Sequence, residues 1–154
     1  MFRILVVDDD PGLRELLDVV LTGEGYDVAC ASHGLEAIVQ LERQWYPDVM
    51  LLDMLMPIMD GAEVCDWVNE HIPVGERPRV VVLSASLTPH MPVPIVDALL
   101  AKPFNLDMVL AIVTRMCGDV PLHQRLGAAL PKRAAALPPN VIASVAASMP
   151  ACLV

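Results

Sequence analysis

The sequence predicts an α/β domain built on a parallel sheet with helices on both faces. Three observations carry that prediction. Short apolar runs rich in strand formers alternate with stretches whose apolar residues recur at helical spacing. The strand-sized runs end on chemistry-bearing residues, namely Asp8-Asp9, Asp53, Ser84 and Lys102. The chain has 154 residues, which suits one domain with a substantial core.

The elements follow in order. Phe2 to Val7 is apolar apart from Arg3 and reads as a first buried strand, ended by Asp8-Asp9-Asp10 and Pro11-Gly12. Leu13, Leu16, Leu17, Val20 and Leu21 recur as the inner face of a helix that Gly23 and Gly25 close. Tyr26 to Ala31 is a second strand, and the helix from Gly34 carries Leu35, Ile38 and Leu41 inward. Val49-Met50-Leu51-Leu52 runs straight into Asp53, as in a strand buried on both faces, and Pro57 and Asp60-Gly61 mark the turn after it. The next helix places Val64, Trp67 and Val68 on one face. Arg79 to Leu83 is a fourth strand ending at Ser84, and Ala98 to Ala101 a fifth ending at Lys102-Pro103. Leu106, Val109, Leu110 and Val113 are in phase on a last helix. Between Ser84 and Lys102, Pro89, Pro92 and Pro94 disfavour a helix, leaving a loop or at most one turn near 95–99.

Composition narrows the function classes. Residues 1–118 hold 7 Lys+Arg against 18 Asp+Glu, a net of −11, and residues 119–154 carry +2. This argues against a nucleic-acid surface on this chain. No apolar run reaches the roughly 18 residues of a membrane span. Asp8, Asp9 and Asp10 interrupt the place where a signal peptide would continue its apolar region. Cys30, Cys65, Cys117 and Cys152 are far apart without metal-site spacing, as expected of free thiols in a reducing cytoplasm. The domain expected is 1–118; residues 119–154 form an Ala- and Pro-rich tail, flexible or loosely docked, with short helices conceivable at 122–130 and 140–149.

Right-handed crossovers bring every strand's carboxyl end to one edge, where open α/β sheets bind ligands. Asp8, Asp9, Asp53, Ser84 and Lys102 would gather there. Singly, each has a plainer reading: Asp8 or Asp9 as a helix cap, Asp53 and Ser84 as turn residues, Lys102 as a solvated lysine. Jointly, they make a site. Three carboxylates need a cation to stay ionised, and oxygen donors of this kind suit Mg²⁺. A carboxylate nucleophile, a divalent ion, a lysine and a hydroxyl suit phosphoryl transfer to Asp53.

These residues resemble the receiver domain of two-component response regulators. The matching pieces are Ile4-Leu5-Val6-Val7-Asp8-Asp9-Asp10, Leu51-Leu52-Asp53 through Met59-Asp60-Gly61, Val82-Leu83-Ser84-Ala85 and Ala101-Lys102-Pro103-Phe104, in family order over roughly residues 2–117. The resemblance implies a (βα)5 flavodoxin-like doubly wound parallel sheet of order 2-1-3-4-5, here with the fourth helix shortened or missing. It implies that Asp53 accepts a phosphoryl group from a sensor histidine kinase or histidine phosphotransfer protein. Asp8 and Asp9 would bind Mg²⁺, Asp9 and Asp53 directly with the backbone carbonyl of Leu55. Ser84 and Lys102 would contact phosphoryl oxygens. The family's switch position, usually aromatic, is Leu99 here.

A stand-alone receiver signalling to an unknown protein target is the expectation, with a homodimer as a further partner state. It would be no enzyme beyond its own phosphorylation and dephosphorylation. Slow self-dephosphorylation is expected, because Leu55 and Ser86 offer no base to activate water. The alternative is a receiver-fold interaction module without phosphorylation-dependent switching, which Leu99 and the prolines favour. A phosphohydrolase with an aspartyl nucleophile would carry a second Asp where Leu55 stands.

Overall fold

The computed structural model describes residues 1–43, 45–85 and 95–118. Five parallel strands, β1 (Arg3–Val7), β2 (Asp27–Ala31), β3 (Val49–Asp53), β4 (Arg79–Ser84) and β5 (Ala98–Ala101), form one sheet in the order β2-β1-β3-β4-β5. Helices α1 (Pro11–Gly23), α2 (Gly34–Glu42), α3 (Gly61–His71) and α4 (Leu106–Gly118) flank it. The order predicted from the family resemblance is the order observed. Of the segment expected to hold a shortened or missing fourth helix, residues 86–94 with Pro89, Pro92 and Pro94 lie outside the described residues, as do the tail and its two short helices. The single turn allowed near 95–99 is not helical, Ile95 being a turn residue and Ala98 and Leu99 belonging to β5.

Alternation along β1 explains the two layers. Ile4 and Val6 face Leu17 and Leu21 of α1 and Val109, Ile112 and Val113 of α4. Leu5 and Val7 face Ala37 and Leu41 of α2 and Val64, Cys65 and Val68 of α3. Successive strand side chains point to opposite faces, so a strand covered on both must be apolar throughout. All five residues of β3 are buried, Asp53 included.

Two inward assignments change. Leu16 and Leu35 lie on the solvent side of α1 and α2. In α2 the stripe is Gly34, Ala37, Ile38 and Leu41, because the helix begins at Gly34 and the first turn points Leu35 away from the sheet. In α1, Gly23 belongs to the helix; the reversal comes at Gly25, with φ +92. Trp67 is half-buried and stacks on His71 at 4.6 Å. His33, given no role in the sequence, caps α2: its Nδ1 accepts the Glu36 N–H at 3.2 Å.

Candidate functional site

The β1–α1 turn is built by its own aspartates. Asp10, not Asp8 or Asp9, caps α1, its Oδ1 accepting from the N–H groups of Gly12 (2.8 Å) and Leu13 (3.2 Å). That division of labour leaves the other two acids for the site. Asp8 is 0% exposed, while Asp9 stands at the exposed rim. Asp8 Oδ1 accepts the Asp10 N–H at 2.9 Å.

The β3–α3 turn is shaped for close approach. A Cβ on Gly61 would lie 2.5 Å from the Asp53 carbonyl oxygen, and the Gly61 N–H donates to the Met54 carbonyl at 3.2 Å. Asp60 caps α3 in a capping box with Glu63, both bonds at 2.9 Å. Ile58 has φ +73 between these anchors, unusual for a β-branched residue. It is 73% exposed and Leu55 is 71% exposed, so this turn presents two apolar side chains to solvent.

Asp53 ends β3 at 6% exposure. Its Oδ1 accepts the Leu55 N–H at 3.1 Å, and its Oδ2 accepts from Lys102 Nζ at 2.8 Å. The same Nζ donates to Asp8 Oδ2 at 2.7 Å. Lys102 thus bridges two buried carboxylates from the far end of β5. Burial pulls its pKa down, but the bonds from Asp53 and Asp8 outweigh that and hold it above the ordinary 10.5. The amide of Lys102 also donates to the Ser84 carbonyl at 2.7 Å, which ties the last residue of β4 to the lysine. Ser84 is buried at 3% exposure.

Carboxylate oxygens of Asp8, Asp9 and Asp53 lie within 4.8 Å of one another. An all-oxygen, anionic donor set of this size fits a hard divalent ion that keeps some of its water. The structure therefore gathers Asp8, Asp9, Asp53, Ser84 and Lys102 along one edge, as the strand-end argument predicts. Leu55 stands two residues beyond Asp53 in the turn, its N–H bonded to Asp53 Oδ1. Leu99 is half-buried in β5 opposite Val82 and, like Ile95 and Val96, packs against the core of α2 and α3. Sequence reasoning missed Arg14, whose Nη1 donates to the Asp8 carbonyl at 2.6 Å. Its position one helical turn beyond Asp10 was the available signal.

Comparison with known proteins agrees with this arrangement. The profile of the response regulator receiver domain matches residues 4–114. The chain is 39% identical over 113 residues to the response regulator MprA of Mycobacterium leprae, covering 71% of this chain and 48% of that one. It is 51% identical over 63 residues to the DNA-binding response regulator MtrA of Mycolicibacterium smegmatis, covering 41% of this chain and 27% of the relative. The chain thus spans less than half the length of these curated relatives. Among solved structures it is similar to the response regulator protein TrrA of Thermotoga maritima in complex with Mg²⁺-BeF. There the TM-score is 0.67 and the identity 31%, over 75% of this chain and 99% of that one. Among the described residues, no helix is long and apolar enough to cross a membrane.

Proposed function

The chain belongs to the response regulator receiver domain family, and on that premise we propose that Asp53 accepts a phosphoryl group in a Mg²⁺-dependent transfer from a histidine kinase or histidine phosphotransfer protein. The observation that carries this reading is the Lys102 bridge between Asp8 and Asp53 beside a third carboxylate. In the transfer, the donor's N–P bond breaks as an Asp53 Oδ–P bond forms. Asp9 and Asp53 would hold the ion, with Asp8 and the Leu55 main-chain carbonyl beside them. When bound, Mg²⁺ supplies neutralisation of charge on the phosphoryl oxygens. Lys102, kept protonated by its two acidic partners, adds a second positive charge. Ser84 offers a hydroxyl to a phosphoryl oxygen.

The product carries about −1.5 to −2 charge on its phosphoryl group in place of the single negative charge of the Asp53 carboxylate, and biases an existing conformational equilibrium. Output passes to a protein partner in the cytoplasm, and the catalysis is confined to the chain's own phosphoryl group. A second reading, an interaction module without switching, draws on Leu99: an aliphatic side chain already half-buried has no aromatic ring to move between buried and exposed positions.

Intact-mass spectrometry after incubation with Mg²⁺ and acetyl phosphate tests the proposal. One phosphoryl group is expected on the wild type, none on Asp53→Asn and none after chelation. Uptake by Asp53→Asn would reject Asp53 as the acceptor. The phosphorylated form is expected to outlast seconds, because the exposed Leu55 beside Asp53 has no group that activates water; phosphate release followed over time checks this.

A further inference from the structure

Arg14, on the first turn of α1, has no role so far. It is half-buried, and its Nη1 bond to the Asp8 carbonyl, at 2.6 Å, is a charge-assisted one. Asp8 is held at three further points. Its N–H donates to the Ala31 carbonyl at 3.2 Å, its Oδ1 accepts the Asp10 N–H at 2.9 Å, and its Oδ2 accepts Lys102 Nζ at 2.7 Å. Asp10 in turn caps α1, and the Arg14 N–H donates to the Asp10 carbonyl at 3.1 Å. The turn carrying Asp9 is therefore enclosed between two groups on α1, the cap at its start and the Arg14 guanidinium.

Lys102 and Arg14 use different acceptors. The lysine occupies a carboxylate oxygen on Asp8 and another on Asp53, positions a metal would share. Arg14 occupies main-chain oxygen, so it brings positive charge to the acidic edge without taking up a ligand atom. We infer that Arg14 is a positioning residue for the divalent ion, fixing the Asp8 carbonyl and with it the direction in which Asp9 presents its carboxylate. This rests on the proposed function of the same site.

Charge and geometry predict opposite signs, which makes the inference testable. If Arg14 acts through charge alone, removing it strengthens Mg²⁺ binding at three carboxylates. If it holds the turn, removing it weakens binding. The experiment is calorimetric titration of the full chain with Mg²⁺, comparing wild type, Arg14→Ala, Arg14→Lys and the exposed Arg115→Ala as a control for lost charge. The Mg²⁺ Kd is expected to rise about tenfold in Arg14→Ala, as for other residues that orient metal ligands. Arg14→Lys recovers only part, because an ammonium lacks the planar fork. Arg115→Ala should leave Kd as in the wild type. At saturating Mg²⁺, phosphorylation by acetyl phosphate should be restored in Arg14→Ala, separating placement of the ion from the chemistry at Asp53. A Kd at or below the wild-type value in Arg14→Ala overturns the inference. Should that variant not fold, Arg14→Lys is judged by the same reading. Failure of the wild type itself to bind Mg²⁺ would instead sink the underlying functional proposal.

Discussion

At the scale of single residues, Lys102 and Ile58 act in opposite directions on stability near Asp53. Asp8 and Asp53 are buried and share one lysine, so removing that lysine leaves two carboxylates facing each other. Lys102→Met is expected to cost about 2 kcal/mol in chelator, below the range for fully buried pairs because part of the lysine meets solvent. Added Mg²⁺ should restore much of this, which urea unfolding with and without the ion would show. The raised pKa of Lys102 sets the pH window. Its contribution is complete below the ordinary lysine value of 10.5 and is lost as pH rises through the higher folded value, so wild type and Lys102→Met should converge in stability only under strongly alkaline conditions. Ile58 is the reverse case. A β-branched, exposed residue at φ +73 gains little from burial and carries left-handed strain. Ile58→Asn should raise stability by about 1 kcal/mol, seen as a higher denaturation midpoint. A lower midpoint would mean that the Ile58 side chain makes compensating contacts.

At the scale of elements, glycines join β3, which ends at Asp53, to the helices beyond it. Gly61 begins α3 against the Asp53 carbonyl, and Gly34 begins α2 against the same turn. The Gly34 N–H donates to the Met59 carbonyl at 3.2 Å, and a Cβ there would meet Val64 Cγ2 at 2.6 Å and the Met59 carbonyl oxygen at 2.8 Å. Neither backbone oxygen can swing aside as a side chain would. Gly34→Ala should therefore cost about 2 kcal/mol and displace the Met59 turn. Chemical-shift changes spreading from Met59 to Asp53 would register that displacement; changes confined to α2 would contradict it. Asp53 is thus mechanically joined to α2 and α3, on the face of the sheet that also holds Leu99.

At the scale of the whole molecule, one sheet separates two apolar layers, and each holds a buried thiol. Cys65 lies in the layer of α2 and α3, Cys117 in that of α1 and α4. Burial pushes both thiols up to about 12, so neither is a thiolate near neutral pH. Their alkylation therefore requires opening. Because β1 and β3 contribute side chains to both layers, Cys65 and Cys117 should be labelled at one common rate that tracks global unfolding, measurable by peptide mapping. Earlier labelling of one would show that its layer opens alone.

The alternation of apolar runs and helical stripes was enough to place all five strands and the flanking helices, because strand and helix periods are local properties of the chain. The strand-end position of Asp8, Asp9, Asp53, Ser84 and Lys102 was legible for the same reason: a parallel sheet sends every carboxyl end to one edge. What periodicity could not decide is rotation and partner choice. Leu16 and Leu35 fit an apolar stripe but face solvent, since only packing on the sheet determines which side of a short helix is inner. Nor could residue type alone tell three consecutive aspartates apart; only the family resemblance set Asp8 and Asp9 aside for the metal. Folding made Asp10 the helix cap, buried Asp8 on Lys102 and left Asp9 at the rim. Arg14, one helical turn beyond Asp10, acquired its place beside Asp8 in the same way, through a bond to a main-chain oxygen that its spacing alone does not specify. Such contacts depend on where backbone and side chains meet in space, and that is decided only when the sheet and its helices close on one another.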